Sequence, residues 1–248
     1  VTYINNVAFS GGNETSGMRL SYTNFTNKGI VPNTDLVKNS LAFSAIKELD
    51  NKLLIRAYLN FINSSSTNRP AVGYGSENPM YTFNWSGRQV DTKDLKDYWQ
   101  AGKKDFNQFN ANYLWLDNPY FTAYENTNGF DKNRLLGNVS VQYNISPKLN
   151  IRLRSGMDYY HDLRKSKRAF STKRFVNGAY REDEIDYREI NTDALITYST
   201  KINKNKPFLL TIKQRLIGTT SLNESSSCEL VNEYGNLETK TVAGQCSD

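Results

Sequence analysis

Residues 133–162 read NRLLGNVSVQYNISPKLNIRLRSGMDYYHD, and the spacing of their apolar positions decides the fold. Two strand-like runs are joined by a tight turn at Ile145, Ser146, Pro147 and Lys148. In the first run Leu135, Val139, Val141, Tyr143 and Ile145 share one parity, with Gly137 among them. Asn138, Ser140, Gln142 and Asn144 hold the other parity. In the second run Leu149, Ile151, Leu153, Met157 and Tyr159 alternate with Asn150, Arg152, Arg154 and Asp158. A period of two gives each strand one apolar and one polar face.

Two physical situations require that pattern. A soluble sandwich buries its apolar face, whereas a membrane barrel turns it to lipid and wets the polar face in a lumen. Strand length favours the barrel, because a tilted strand needs about 9–11 residues to cross a bilayer. Arg152 and Arg154 occupy successive positions on one face in mid-strand, which suits a hydrated lumen. These two arginines are expected to face it.

Composition agrees with a polar β protein. Of 248 residues 38% are hydrophobic, with 16 Tyr and 12 Phe, and the mean hydropathy is −0.65. No run approaches the roughly 18 apolar residues of a membrane-crossing helix, which does not bear on barrels. No basic and apolar leader opens the chain, so no export signal is visible. The net charge of +6 is spread through the sequence, so nucleic acid is not an expected partner. The densest basic run, 164–168 (RKSKR), has an acidic counterpart in Glu182, Asp183, Glu184 and Asp186. The two read as arms of a solvated loop that attract each other.

In chain order, strands are expected near 5–10 and around Met18–Tyr22, Leu41–Ala45 and Leu53–Phe61. The central hairpin follows, then strands near 191–202 and 208–217. Short turns alternate with long loops at about 64–132 and 163–188, as in barrels with periplasmic turns and extracellular loops. The long first loop holds Trp85, Trp99 and Trp115, and also Tyr120. These aromatics either meet a ligand or a lid, or form the loop's own core. Within the loop, the spacing over 91–99 predicts a short amphipathic helix.

Several segments together resemble a known family. They are NNVAFSGGN (5–13), NKGIVPNTD (27–35), NRPAVGYGSENPMYTF (68–83), NPYFTAYENTNGFDKNRLLGNVSVQY (118–143) and DLRKSKRAF (162–170). In this order they look like the barrel of SusC/RagA-type TonB-linked outer-membrane receptors of Bacteroidetes, over roughly residues 1–200. The resemblance implies an all-β, antiparallel transmembrane β-barrel, present here as about eight strands of a plugged barrel of about 22. It implies uptake of oligosaccharides or peptides across the outer membrane, and a lipid environment around the barrel. It also implies a SusD-like surface lipoprotein as lid and energy from a TonB complex. Plug and TonB box are absent from the residues given, so a mid-barrel fragment is expected over 1–217. Residues 218–248 read as a divergent polar tail or loop.

Chemistry is sparse. One histidine, His161, makes neither a zinc site nor a triad by itself. Cys228 and Cys246 are candidates for a disulfide in an exported protein, the alternative being two free thiols. Gly73, Tyr74 and Gly75 follow no strand–helix signature and read as a turn. The 182–186 acids lack the spacing of a calcium loop, and no carboxylate pair stands out for glycoside hydrolysis. No enzyme activity, metal or cofactor is expected. The competing reading is a secreted or surface β-sandwich that binds glycans through the Trp-rich loop.

Overall fold

The computed structural model describes the backbone of residues 1–50, 52–110, 115–201, 209–233 and 236–242, and side chains within these up to 199 and over 216–224. The described strands form one nine-stranded antiparallel sheet in sequential order. They are β1 (Thr2–Asn13), β2 (Ser16–Lys28), β3 (Asp35–Leu49), β4 (Leu53–Ser66), β5 (Asn128–Ser146), β6 (Leu149–Phe170), β7 (Asn177–Lys201), β8 (Leu209–Glu233) and β9 (Asn236–Val242). Two short helices, α1 (Pro79–Trp85) and α2 (Pro119–Glu125), lie between β4 and β5. Among the described residues the sheet is open, with β1 paired only to β2 and β9 only to β8.

Turn chemistry fixes the lower hairpins. Asn13 Oδ1 accepts from Thr15 N at 3.1 Å and Ser16 N at 2.8 Å, closing the first. Asp50 takes a positive φ of 50° in the second. Ser146 Oγ accepts from Lys148 N and Leu149 N in the third.

These turns also report strand tilt. Ser16 pairs with Lys47 beside the first turn, whereas the second turn closes two residues further on, at Leu49 and Leu53. The third closes another two residues beyond the row of Tyr143 and Ile151, at Leu149. An advance of ~6.8 Å along the strand for every ~9.6 Å across it makes an angle of ~35°, the tilt of a closed barrel's strands.

The register lines up one apolar face. Phe9, Leu20, Phe43, Leu59, Gly137, Met157 and Ile190 oppose one another in turn across seven strands. Gly137 is required there, since a Cβ would lie 2.6 Å from the Tyr58 carbonyl. No second layer covers this face among the described residues: Phe9 is 71% exposed and Leu153 53%. Among the described residues the buried apolar side chains, Leu95, Leu116, Phe121 and Ala123, all lie in the β4–β5 connection. A chain that buries its loop and exposes its strands' apolar face is built for lipid. The fold is thus a segment of an antiparallel transmembrane β-barrel, and the β-sandwich reading is overturned, because a sandwich needs a second sheet. No described helix is long and apolar enough to cross a membrane.

Two elements differ from the sequence reading. The expected loop over 163–188 is mostly strand: β6 runs to Phe170 and β7 starts at Asn177, leaving 171–176 as the connection. The basic and acidic runs do attract, but as paired strands, with Lys165 opposite Glu182 and their charges 3.0 Å apart. The helix expected over 91–99 is a single 3₁₀ turn at Asp94–Lys96. In addition, β8 continues past Ile217 to Glu233. The side chains of Cys228 and Cys246 lie outside the described residues.

Candidate functional site

The β4–β5 connection, 67–127, is a folded unit above the sheet. Both its helices start with the same chemistry, an Asn cap followed by Pro at the first helical position. Asn78 Oδ1 accepts from Met80 N at 3.0 Å, and Asn118 Oδ1 from Tyr120 N at 2.8 Å. Asn118 is fully buried. Its amide also donates to the carbonyls of Leu95 at 2.9 Å and Phe109 at 2.8 Å.

Polar side chains clasp this unit to its two neighbouring connections. Asn33, left-handed at φ 56°, donates to the Ala123 carbonyl at 3.0 Å. Asn68 donates to that same carbonyl at 2.9 Å. Asp35 Oδ1 accepts from Thr67 N at 2.9 Å; burial works against its charge, yet hydrogen bonds from Thr67, Asn68 and Ser66 hold it below the usual carboxylate range. On the other side Asn126 Oδ1 accepts from Ala169 N and Thr172 Oγ1. Asp117 Oδ1 accepts from Lys173 N at 2.9 Å and Gln108 Nε2 at 2.6 Å. Burial pushes the Asp117 carboxyl above its usual range, against the pull of those hydrogen bonds. Three connections therefore form one rim.

The aromatic candidates separate. Trp99 packs edge-on against Phe121 at 5.3 Å, inside the rim. Trp85 is 63% exposed and Trp115 77%. Trp85 continues a short aromatic row, with Tyr81 5.9 Å from it and Tyr74 4.7 Å from Tyr81. Tyr120 lines a cavity of about 150 Å³ with Ile30, Met80 and Phe83.

Arg152 and Arg154 stand on the sheet's polar face. Arg154 Nε donates to Asp193 Oδ1 at 2.7 Å, and Arg134 Nε to Asp158 at 2.8 Å on the same face. Sequence reasoning missed two clusters. His161, on the apolar-parity face above Tyr159, lies 3.1 Å from Asp186 and 3.7 Å from Glu184. These three can bring one ligand atom each within 4.8 Å of one another. The second cluster is arginine-rich. Two adjoining cavities, of about 390 and 410 Å³, sit on the polar face of the β6–β7 hairpin and share Ser166 and Asp183. Arg168, Arg174 and Arg181 line one, and Arg69 and Arg164 the other. Only the folded chain brings 69 and 77 over 164–183, so no local motif signals it.

No protein-family model matches the chain, and no curated protein matches it by sequence. Among solved structures it is similar to the RagAB peptide transporter, at TM-score 0.62 and 16% identity, over 92% of this chain and 25% of that one. Two structures of the RagAB peptide importer, in "open-open" and "closed-closed" states, each give a TM-score of 0.54. Their identities are 13% and 14%, covering 93% and 92% of this chain and 30% of that chain in both. The chain spans less than a third of the length of these neighbours. At such identity the likeness concerns the fold alone.

Proposed function

We propose that this chain forms part of the wall and extracellular mouth of an outer-membrane nutrient importer of the SusC/RagA, TonB-linked kind. The observation that carries the reading is the single tilted sheet with its apolar face outward, joined to a folded rim of one long and two short connections. Outside faces lipid, and Arg152 and Arg154 face the lumen. TonB contact is left to parts of the protein outside this chain. The cargo is a peptide or an oligosaccharide; the fold likeness to a peptide transporter favours a peptide.

A SusD-like lipoprotein is the expected lid, and the apolar rim around Ile30, Met80, Phe83 and Tyr120 suits that contact. Trp85 and Trp115, both exposed, are assigned to ligand or lid. Trp99, packed on Phe121, is assigned to holding the rim together. The test is an immunoblot of native membranes with an antibody to residues 67–127. The expected result is a band several-fold larger than 28.3 kDa in the outer-membrane fraction, co-purifying with a lipoprotein. A soluble band near the chain's own mass overturns the reading.

A further inference from the structure

We infer that the twin cavities over the β6–β7 hairpin form a binding site for carboxylate groups of the imported solute; this rests on the importer reading. The cavities lie on the polar face, at the upper end of the sheet and beneath the rim. Their volumes fall within the range that holds small ligands, about 300–1,000 Å³. Their charge is unbalanced. Five guanidiniums line them, and three carboxylates answer among the described side chains. Arg168 meets Glu77 at 2.7 Å, Arg181 meets Asp183 at 2.8 Å and Arg164 meets Asp162 at 2.8 Å.

Arg69 and Arg174 are left over. Neither has an ion pair among the described residues, and each instead lies over a phenyl ring, Phe130 at 5.2 Å and Phe175 at 5.7 Å. Stacking on a ring holds a guanidinium's plane while leaving its N–H edge open to an acceptor. The two approach from different connections, Arg69 after β4 and Arg174 between β6 and β7, so they flank the shared floor of Ser166 and Asp183. An Arg fork matches a carboxylate through two parallel hydrogen bonds. The resident ion pairs already hold carboxylates against guanidiniums here. A concave opening with an excess of positive charge also concentrates anions before they dock. The solute is therefore an oligomer bearing at least two carboxylates, either an acidic peptide or a uronic-acid oligosaccharide.

The test uses the whole transporter purified in detergent, with equilibrium dialysis of labelled pentaglutamate, pentaglutamine, trigalacturonate and maltotriose. The wild type is expected to prefer one acidic probe to its neutral counterpart by at least tenfold at low salt, with the margin shrinking as salt rises. Preference for pentaglutamate identifies a peptide site and preference for trigalacturonate a sugar site. Arg69→Gln with Arg174→Gln should abolish the preference and leave neutral probes unchanged. Arg19→Gln, at the far end of the polar face, should retain it. Equal binding of acidic and neutral probes by the wild type overturns the inference, as does an unaltered preference in the double variant. Uptake by cells is scored separately. Acid-selective binding without uptake sinks the importer reading and keeps the site; uptake without acid selectivity does the reverse.

Discussion

Arg154 on β6 and Asp193 on β7 stand directly opposite in register and meet at 2.7 Å, with Asp193 only 5% exposed. Such cross-strand pairs on the polar face do for this sheet what apolar contacts do in a soluble core. Asp193→Ala leaves the guanidinium without this partner, and the half-exposed arginine limits the cost to about 1–2 kcal/mol. Urea unfolding of the full barrel in detergent should show it. Adding Arg154→Met should recover part of the loss, because the guanidinium that lost Asp193 is then gone too.

The two faces of β4 should respond oppositely to one charge. Leu59→Arg places a cation on the lipid face, at a cost of about 2–4 kcal/mol near the bilayer midplane, and should block assembly. Tyr58→Arg, on the polar face beside Asn138, should assemble normally. Heat-modifiable migration of outer-membrane extracts separates the two. Equal assembly would mean that both faces are wet, and the opposite ranking that the faces are reversed.

Asn118 does three jobs from a fully buried position, capping α2 and donating to two carbonyls. Asn118→Ala should cost the rim about 2–4 kcal/mol, combining a lost cap with orphaned groups. Limited proteolysis should cut 67–127 while β5 and β6 stay protected. Asn118→Asp keeps the cap acceptor and loses the donors, so its rim should open to an intermediate degree.

Rim stability should depend on pH through Asp117. Burial raises its folded pKa above an unfolded value of about 3.9. The contribution is therefore complete below that value and is lost as pH rises through the folded pKa. Hydrogen exchange at 108–118 should show stronger protection at mildly acidic pH than at neutral pH. Asp117→Asn, which retains the Oδ1 acceptor, should flatten that dependence. A profile unchanged by Asp117→Asn would assign the effect elsewhere.

Trp85 and Trp99 should behave differently despite equal chemistry. Trp85→Ala, removing an exposed ring, is expected to weaken ligand or lid capture severalfold with the rim intact. Trp99→Ala, removing the partner of Phe121, should instead raise protease sensitivity of the rim. Pull-down with the lipoprotein and proteolysis, read together, decide both.

The features legible in the residues alone are local. The alternation over 133–162 determined strands, faces and the placing of Arg152 and Arg154 opposite the apolar side, because a side-chain period of two is a property of one extended strand. Extension of β6 and β7 through 163–188 was hidden, since both faces there are charged and carry no apolar period. Pairing of Lys165 with Glu182 replaces that signal. The run 91–99 has the spacing of a helix, yet Leu95 is buried and Tyr98 and Trp99 both contact Phe121, which confines helical backbone to one turn. Tertiary structure alone joined the connections at 29–34, 67–127 and 171–176 into one rim and set Arg69 beside the strands that carry Arg164 and Arg168. The reason is register: hydrogen bonds between strands bring distant residues level with each other, and no short stretch of sequence carries that alignment.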